Sequence, residues 1–324
     1  MDKISIIIPC LNEQEAIPVY YRAMVKVMDQ MRGIAFELLF VDDGSNDGTL
    51  EILRNISTMD RRCRYLSFSR NFGKEAAIYA GLSNVSGNLI VVMDVDLQDP
   101  PELILQMYQI MHREDVDCVA ARRSDRKGEP GIRSLLSRGF YRCINKIAHT
   151  QIVSGARDFR MMNRQMADAV LSLSEYNRFS KGIFQWVGFR TKWLEYPNAE
   201  RCAGETKWSL RKLTGYAVEG IVGMTTEPLR WSLKAGMLLC AAGTVMAVVS
   251  GIDFMTGNNR MMGLLLILCV ILLVGGLQLI STGIIGEYLS KTYLEVKNRP
   301  VFIIKESSDS VCGKVCRHSK EKTA

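Results

Sequence analysis

The N-terminal part of the chain alternates short apolar runs with longer amphipathic ones. Lys3-Ile-Ser-Ile-Ile-Ile-Pro9 is an apolar run closed by proline and predicts a strand. Residues 36–41, 64–68, 89–93 and 116–121 repeat that pattern. Between them apolar positions recur at helical spacing over about 15–31, 49–58, a third stretch ending near 82, and 101–112. Pro101 opens the last of these, where a helix tolerates proline. Strands alternating with helices predict an α/β domain, a Rossmann-like and mostly parallel sheet covered on both faces. Ligands of such sheets bind beyond the carboxyl ends of the strands. The polar clusters fall there: Asn12 and Glu13, Asp42 and Asp43, then Asp94 and Asp96.

Further along, the pattern changes. Residues 235–252 and 261–285 are nearly free of charge, and each is long enough, as a helix, to cross a hydrocarbon core. The alternative is a pair of buried core helices; the length of the runs and the short connection favour a transmembrane hairpin. Arg230 and Lys234 precede the first run, Lys291, Lys297 and Arg299 follow the second, and the connection carries only Arg260. That bias places both ends on the cytoplasmic side. No apolar signal segment opens the chain. The expected organisation is a soluble domain over 1–205, an amphipathic juxtamembrane segment over 206–230, two spans within 231–290, and a polar tail over 291–324 that lacks order beyond about 305. The expected location is the inner (plasma) membrane, multi-pass, with both termini cytoplasmic.

Composition sharpens this picture in few places. The 324 residues carry a net charge of +7 and are 48% hydrophobic, enough for one sizeable domain plus extras. The nine cysteines are scattered and form no disulfide framework. Neither Cys312-Gly-Lys-Val-Cys316 nor the three histidines have metal-ligand spacing. Positive charge concentrates between Arg122 and Arg142, where Arg123, Arg126, Lys127, Arg133 and Arg138 outnumber Asp125 and Glu129. Apolar residues recur there at helical spacing. Such a stretch can rest on anionic headgroups and grip a lipid phosphate; the alternative is a solvated charge run over a core-facing stripe. Nucleic acid is not an expected partner, because the only aromatics in the cluster are the adjacent Phe140 and Tyr141 and the apolar runs point to a membrane.

Asp94-Val-Asp96, at the end of the buried run Leu89-Ile-Val-Val-Met93, places two carboxylates where a divalent cation can neutralise a pyrophosphate. Gln98 can add a neutral oxygen. The loop after the first strand, Pro9-Cys-Leu-Asn-Glu13, has no glycine, which excludes a dinucleotide fingerprint, and no P-loop occurs.

Four ordered segments carry a resemblance: Ser5-Ile-Ile-Ile-Pro-Cys-Leu-Asn-Glu13, Val41-Asp-Asp-Gly-Ser-Asn-Asp-Gly-Thr49, Ser69-Arg-Asn-Phe-Gly-Lys74 and Asp94-Val-Asp-Leu-Gln-Asp-Pro-Pro-Glu102. They resemble the inverting GT-A glycosyltransferases of family 2, and within them the polyprenyl-phosphate (bactoprenol and dolichol-phosphate) glycosyltransferases. The resemblance implies a GT-A domain followed by the hairpin, and transfer of a hexose from a nucleotide diphosphate sugar to a polyprenyl phosphate. UDP-glucose or UDP-N-acetylglucosamine is the favoured donor, with GDP-mannose the alternative. It implies that Pro9, Glu13, Asp42 and Asp94 line the donor pocket. Asp94, Asp96 and Gln98 would hold Mg²⁺ or Mn²⁺, and Asp158 would face the acceptor. Arg122, Arg133, Ser137 and Arg201 would grip the acceptor phosphate. Gly204-Glu-Thr-Lys-Trp208 resembles the segment that closes over the site, with Thr206 where that segment has serine. A phosphate acceptor is already largely dianionic at neutral pH, its second pKa being about 6, so Asp158 is either a base or a positioning group. A homo-oligomer is expected. The rival readings are a processive family 2 synthase, whose Gln-x-x-Arg-Trp motif and extra spans are missing, and a silent membrane scaffold that binds nucleotide sugar.

Overall fold

The computed structural model describes residues 1–123, 153, 156–196, 222, 225–255 and 260–309. The chain forms two compact units, Met1–Ala217 with Arg299–Ala324, and Val218–Asn298.

In the first unit, β1 (Lys3–Cys10), α1 (Ala16–Gln30), β2 (Ala35–Asp42), α2 (Thr49–Met59), β3 (Cys63–Phe68), α3 (Lys74–Asn84), β4 (Leu89–Val92), α4 (Leu103–Arg113) and β5 (Cys118–Arg123) follow the predicted alternation closely. After them come β6 (Ala156–Asn163), α5 (Arg164–Ser172), α6 (Ser180–Trp186) and β7 (Thr191–Tyr196), with β8 (Ile304–Ser307) near the C-terminus. The strand order is β7-β5-β6-β4-β1-β2-β3-β8. β1 pairs in parallel with both β2 and β4, so the order reverses at β1, and the crevice there opens at the carboxyl ends of β1 and β4.

Strict alternation along each strand feeds two cores. Ile6, Ile8, Leu38, Phe40 and Val91 face the side of α1, α2 and α4. Ile7, Leu39, Val41, Ile90 and Val92 face the side of α3 and α5. Burying each such side chain contributes roughly 1.5–3 kcal/mol, which is why these strands are apolar on both faces and read as continuous runs.

Two features of the sheet depart from expectation. β6 runs antiparallel and is inserted between β4 and β5. The C-terminal segment does not trail away: β8 pairs antiparallel with β3, although order was expected to end near 305. Glu306 accepts a two-pronged bond from Arg54 (2.7 and 2.6 Å) and one from the Tyr65 hydroxyl (2.6 Å), while the Phe302 ring stacks on Phe68 at 5.2 Å. Two apolar rings and a bidentate arginine outweigh the polar average of this segment.

The second unit contains α7 (Glu227–Met255) and α8 (Arg260–Val296), of 29 and 37 residues. They cover the apolar runs 235–252 and 261–285 and extend helically into the polar flanks. Among the described residues no helix is long and apolar enough to cross a membrane; several side chains in the apolar stretches of α7 and α8 lie outside those described. The juxtamembrane segment over 206–230 also lies mostly outside them.

Candidate active site

The loops after β1 and β2 are stitched together. Asn12, in the left-handed region at φ 53, donates its amide to Ser45 Oγ (2.8 Å) and accepts from the Asn46 amide at Oδ1 (2.8 Å). The Glu13 amide donates to Thr49 Oγ1 at 2.9 Å, which fixes Pro9-Cys-Leu-Asn-Glu13 over the carboxyl end of β1. Asp42 is buried, accepting from Ser67 Oγ (2.7 Å) and the Ser45 amide (3.0 Å).

Asp43 does what the sequence did not disclose. Its buried carboxylate accepts from the amides of Phe72 (2.6 Å) and Gly73 (2.9 and 3.1 Å). Gly73 sits at φ 98, a conformation that suits glycine. This clamp turns the chain into α3 and presents Lys74, its first residue, to the crevice.

Lys74 meets two carboxylates there. Its ammonium lies 2.7 Å from Asp94 Oδ1, 2.9 Å from Asp94 Oδ2 and 2.6 Å from Asp158 Oδ2. Asp94 follows β4. Asp158 comes from β6, whose Arg160 is paired with Val92, so continuing that antiparallel register by two residues brings Asp158 opposite Asp94. Burial alone would push the Asp158 carboxyl up, but the charges of Lys74, Lys181 and Arg160 hold it well below the usual range. Burial would lower Lys74, and the two aspartates raise it far above an ordinary lysine. Both groups therefore stay charged, and Asp158 is a weak base. Arg160 is buried beneath, its guanidinium 3.9 Å over the Phe184 ring and bonded to the carbonyls of Asp158 (3.3 Å) and Arg157 (2.9 Å).

The Asp94–Gln98 loop is braced from below. Asp99, buried and not singled out in the sequence, accepts from Arg157 Nε at 3.1 Å and from the Tyr196 hydroxyl. Arg157 also donates to Gln98 Oε1 at 3.1 Å, and Asp96 Oδ1 accepts from the Gln98 amide at 3.2 Å. Arg122, on β5, is paired with Glu195 on β7. Arg133, Ser137 and Arg201, the rest of the basic stretch beyond Arg123, and Gly204–Trp208 lie outside the described residues.

The donor set suits a hard divalent cation in part. Asp94 already holds one positive charge, and Asp96 follows on the same loop. Among the described residues no group of three or more His, Cys, Asp or Glu is arranged to hold a metal. Mg²⁺-like ions are commonly held by only one or two carboxylates, with substrate phosphates and water completing the shell, and this site offers that number.

A family model, glycosyl transferase family 2, matches residues 5–171. A prophage-derived bactoprenol glucosyl transferase of Shigella flexneri is 40% identical over 305 residues, covering 94% of this chain and 98% of that one. A prophage bactoprenol glucosyl transferase homologue of Escherichia coli K12 is 38% identical over 303 residues, again covering 94% and 98%.

Proposed function

This chain belongs to glycosyl transferase family 2, and on that premise we propose that it transfers a hexose from a nucleotide diphosphate sugar to a polyprenyl phosphate. UDP-glucose is the favoured donor, in line with the names of the relatives. The observation that carries the reading is the convergence of Asp94 and Asp158 in the crevice at the β1–β4 reversal. On this reading Asp94 belongs to the donor side and Asp158 to the acceptor side.

Asp94 and Asp96, with Gln98, would hold Mg²⁺ or Mn²⁺, which would neutralise charge developing on the leaving diphosphate. Pro9, Glu13 and Asp42, at the carboxyl ends of β1 and β2, would line the nucleotide pocket. Asp158 orients rather than abstracts a proton: it is held ionised and weakly basic, and a phosphate acceptor brings its own anionic nucleophile. Attack from the face opposite the diphosphate inverts the anomeric carbon. Arg122, Arg133, Ser137 and Arg201 would bind the acceptor phosphate.

The reaction would take place at the cytoplasmic face of the plasma membrane, with α7 and α8 as anchor. Leu238 and Leu279 are 71% and 75% exposed, and large apolar side chains on both helices face outward, as on helices surrounded by lipid. The distribution of Arg and Lys around the two apolar runs supports a cytoplasmic position for both ends of the hairpin.

The test is incubation of membranes carrying the protein with labelled UDP-glucose, UDP-N-acetylglucosamine or GDP-mannose and undecaprenyl phosphate. A labelled glycolipid from UDP-glucose, lost in Asp96→Ala, is expected. No labelled lipid from any donor would sink the reading.

A further inference from the structure

Lys74 holds a position that the proposed reaction does not account for. Its ammonium reaches both oxygens of Asp94 and one oxygen of Asp158, so a single charge bridges a carboxylate assigned to the donor side and one assigned to the acceptor side. The lysine is delivered by the Asp43 clamp on Phe72 and Gly73 and by the turn at Gly73. The Ser69 amide, at the start of the same loop, donates to the carbonyl of Ile303 at 3.0 Å, so the C-terminal segment fixes the loop from the other end. The lysine is partly exposed, yet this clamp and the two carboxylates hold its ammonium in one place.

We propose that Lys74 is a positioning residue that acts as a resident cation. It holds Asp94 and Asp158 together before donor arrives, and it competes with the divalent ion for Asp94. When the divalent ion takes Asp94, the ammonium stays on Asp158 and keeps that carboxylate aligned for the acceptor. The inference rests on the assignment of Asp94 as a metal ligand. It makes one claim which that assignment alone does not: removing the lysine strengthens metal binding while weakening turnover. A side chain that merely supports the fold would weaken both when lost.

The experiment uses the full-length protein in detergent. Mn²⁺ binding without donor is measured by electron paramagnetic resonance, and kcat and KM are measured at saturating Mn²⁺. For Lys74→Met, Mn²⁺ should bind up to about fivefold more tightly, the range of a partly exposed ion pair. Its kcat should fall by roughly 10- to 100-fold, as for loss of a charged hydrogen bond. Lys74→Arg keeps the charge, so its Mn²⁺ affinity should stay near that of the wild type and its kcat between the two. Circular dichroism establishes that each variant is folded; if Lys74→Met is not, Lys74→Gln takes its place. Unchanged or weaker Mn²⁺ binding in the neutral variant, with wild type binding normally, overturns the inference and leaves the family reading intact. So does a Lys74→Arg variant that matches the neutral one in both readouts. Wild-type protein that binds no Mn²⁺, or Asp94→Ala protein that binds it as well as wild type, overturns the metal assignment and the inference with it.

Discussion

Replacing Asp43 tests how the active-site loop is held. Oδ1 of its carboxylate accepts the amides of Phe72 at 2.6 Å and Gly73 at 3.1 Å, and Oδ2 accepts Gly73 again at 2.9 Å. Asp43→Ala removes both acceptors and leaves two amides without this partner. At about 1–3 kcal/mol for each orphaned group, the cost is about 2–6 kcal/mol. Asp43→Asn keeps one oxygen that can serve both amides, but its NH2 group takes the place of Oδ2 and meets the Gly73 N–H donor to donor, for about 1–2 kcal/mol. Charge does not separate the two variants. Burial pushes the Asp43 carboxyl above its ordinary value, so its folded pKa lies above its unfolded one. Its contribution is then most favourable at low pH and declines as pH rises through the folded value. Both uncharged variants escape that decline at neutral pH, which offsets part of either cost. Denaturant unfolding of the purified protein, followed by tryptophan fluorescence at pH 7, gives both differences, and transfer assays well below each midpoint report on the loop. If Asp43→Ala cost less than about 0.5 kcal/mol, or no more than Asp43→Asn, the carboxylate would not be the clamp and the placement of Lys74 would need another cause.

Glu37 predicts an acid limit: burial alone would raise it, but bonds from Ser5, Ser86 and Arg64 and the charge of Lys3 bring it down to about 2. Its stabilisation, about 3 kcal/mol, is complete above pH 4.5 and is lost as pH falls toward 2. The stability gap between wild type and Glu37→Gln should therefore shrink across that window, and a gap independent of pH would contradict it. Gly44→Ala should lower stability by at least about 2 kcal/mol, because at φ +70 its Cβ would lie 2.5 Å from the carbonyl carbon of Arg70; an unchanged melting temperature would refute that contact. Phe302→Ala should cost about 2–4 kcal/mol by removing a ring stacked on Phe68 and set edge-on to Tyr79. Hydrogen exchange at β3 and β8 should then quicken, and full protection there would show that β8 does not depend on the ring.

The first five strands were legible because each is buried on both faces, and α1, α2 and α4 because each is buried on one, and such burial writes its period into the sequence; α3, buried all round over Ala76–Leu82, was legible from its place between two strands. Asp94 and Asp96 were legible for the same reason, since a carboxylate directly after a buried strand lies at the sheet's carboxyl edge. Asp158 was named by resemblance alone. No periodicity says that β6 runs backward between β4 and β5, and only that insertion brings Asp158 beside Asp94. Lys74, Asp43 and Asp99 were hidden because their partners are distant in sequence and set by loop geometry. The pattern of apolar and polar positions thus determined an α/β sheet with acidic strand ends and a helix over each of two apolar runs. Strand order and backbone turns decided the rest: which acids share a cation, which lysine supplies it, and that the C-terminal segment returns to the sheet. Those depend on contacts between residues far apart in the chain, which a local pattern of hydrophobic and polar positions does not encode.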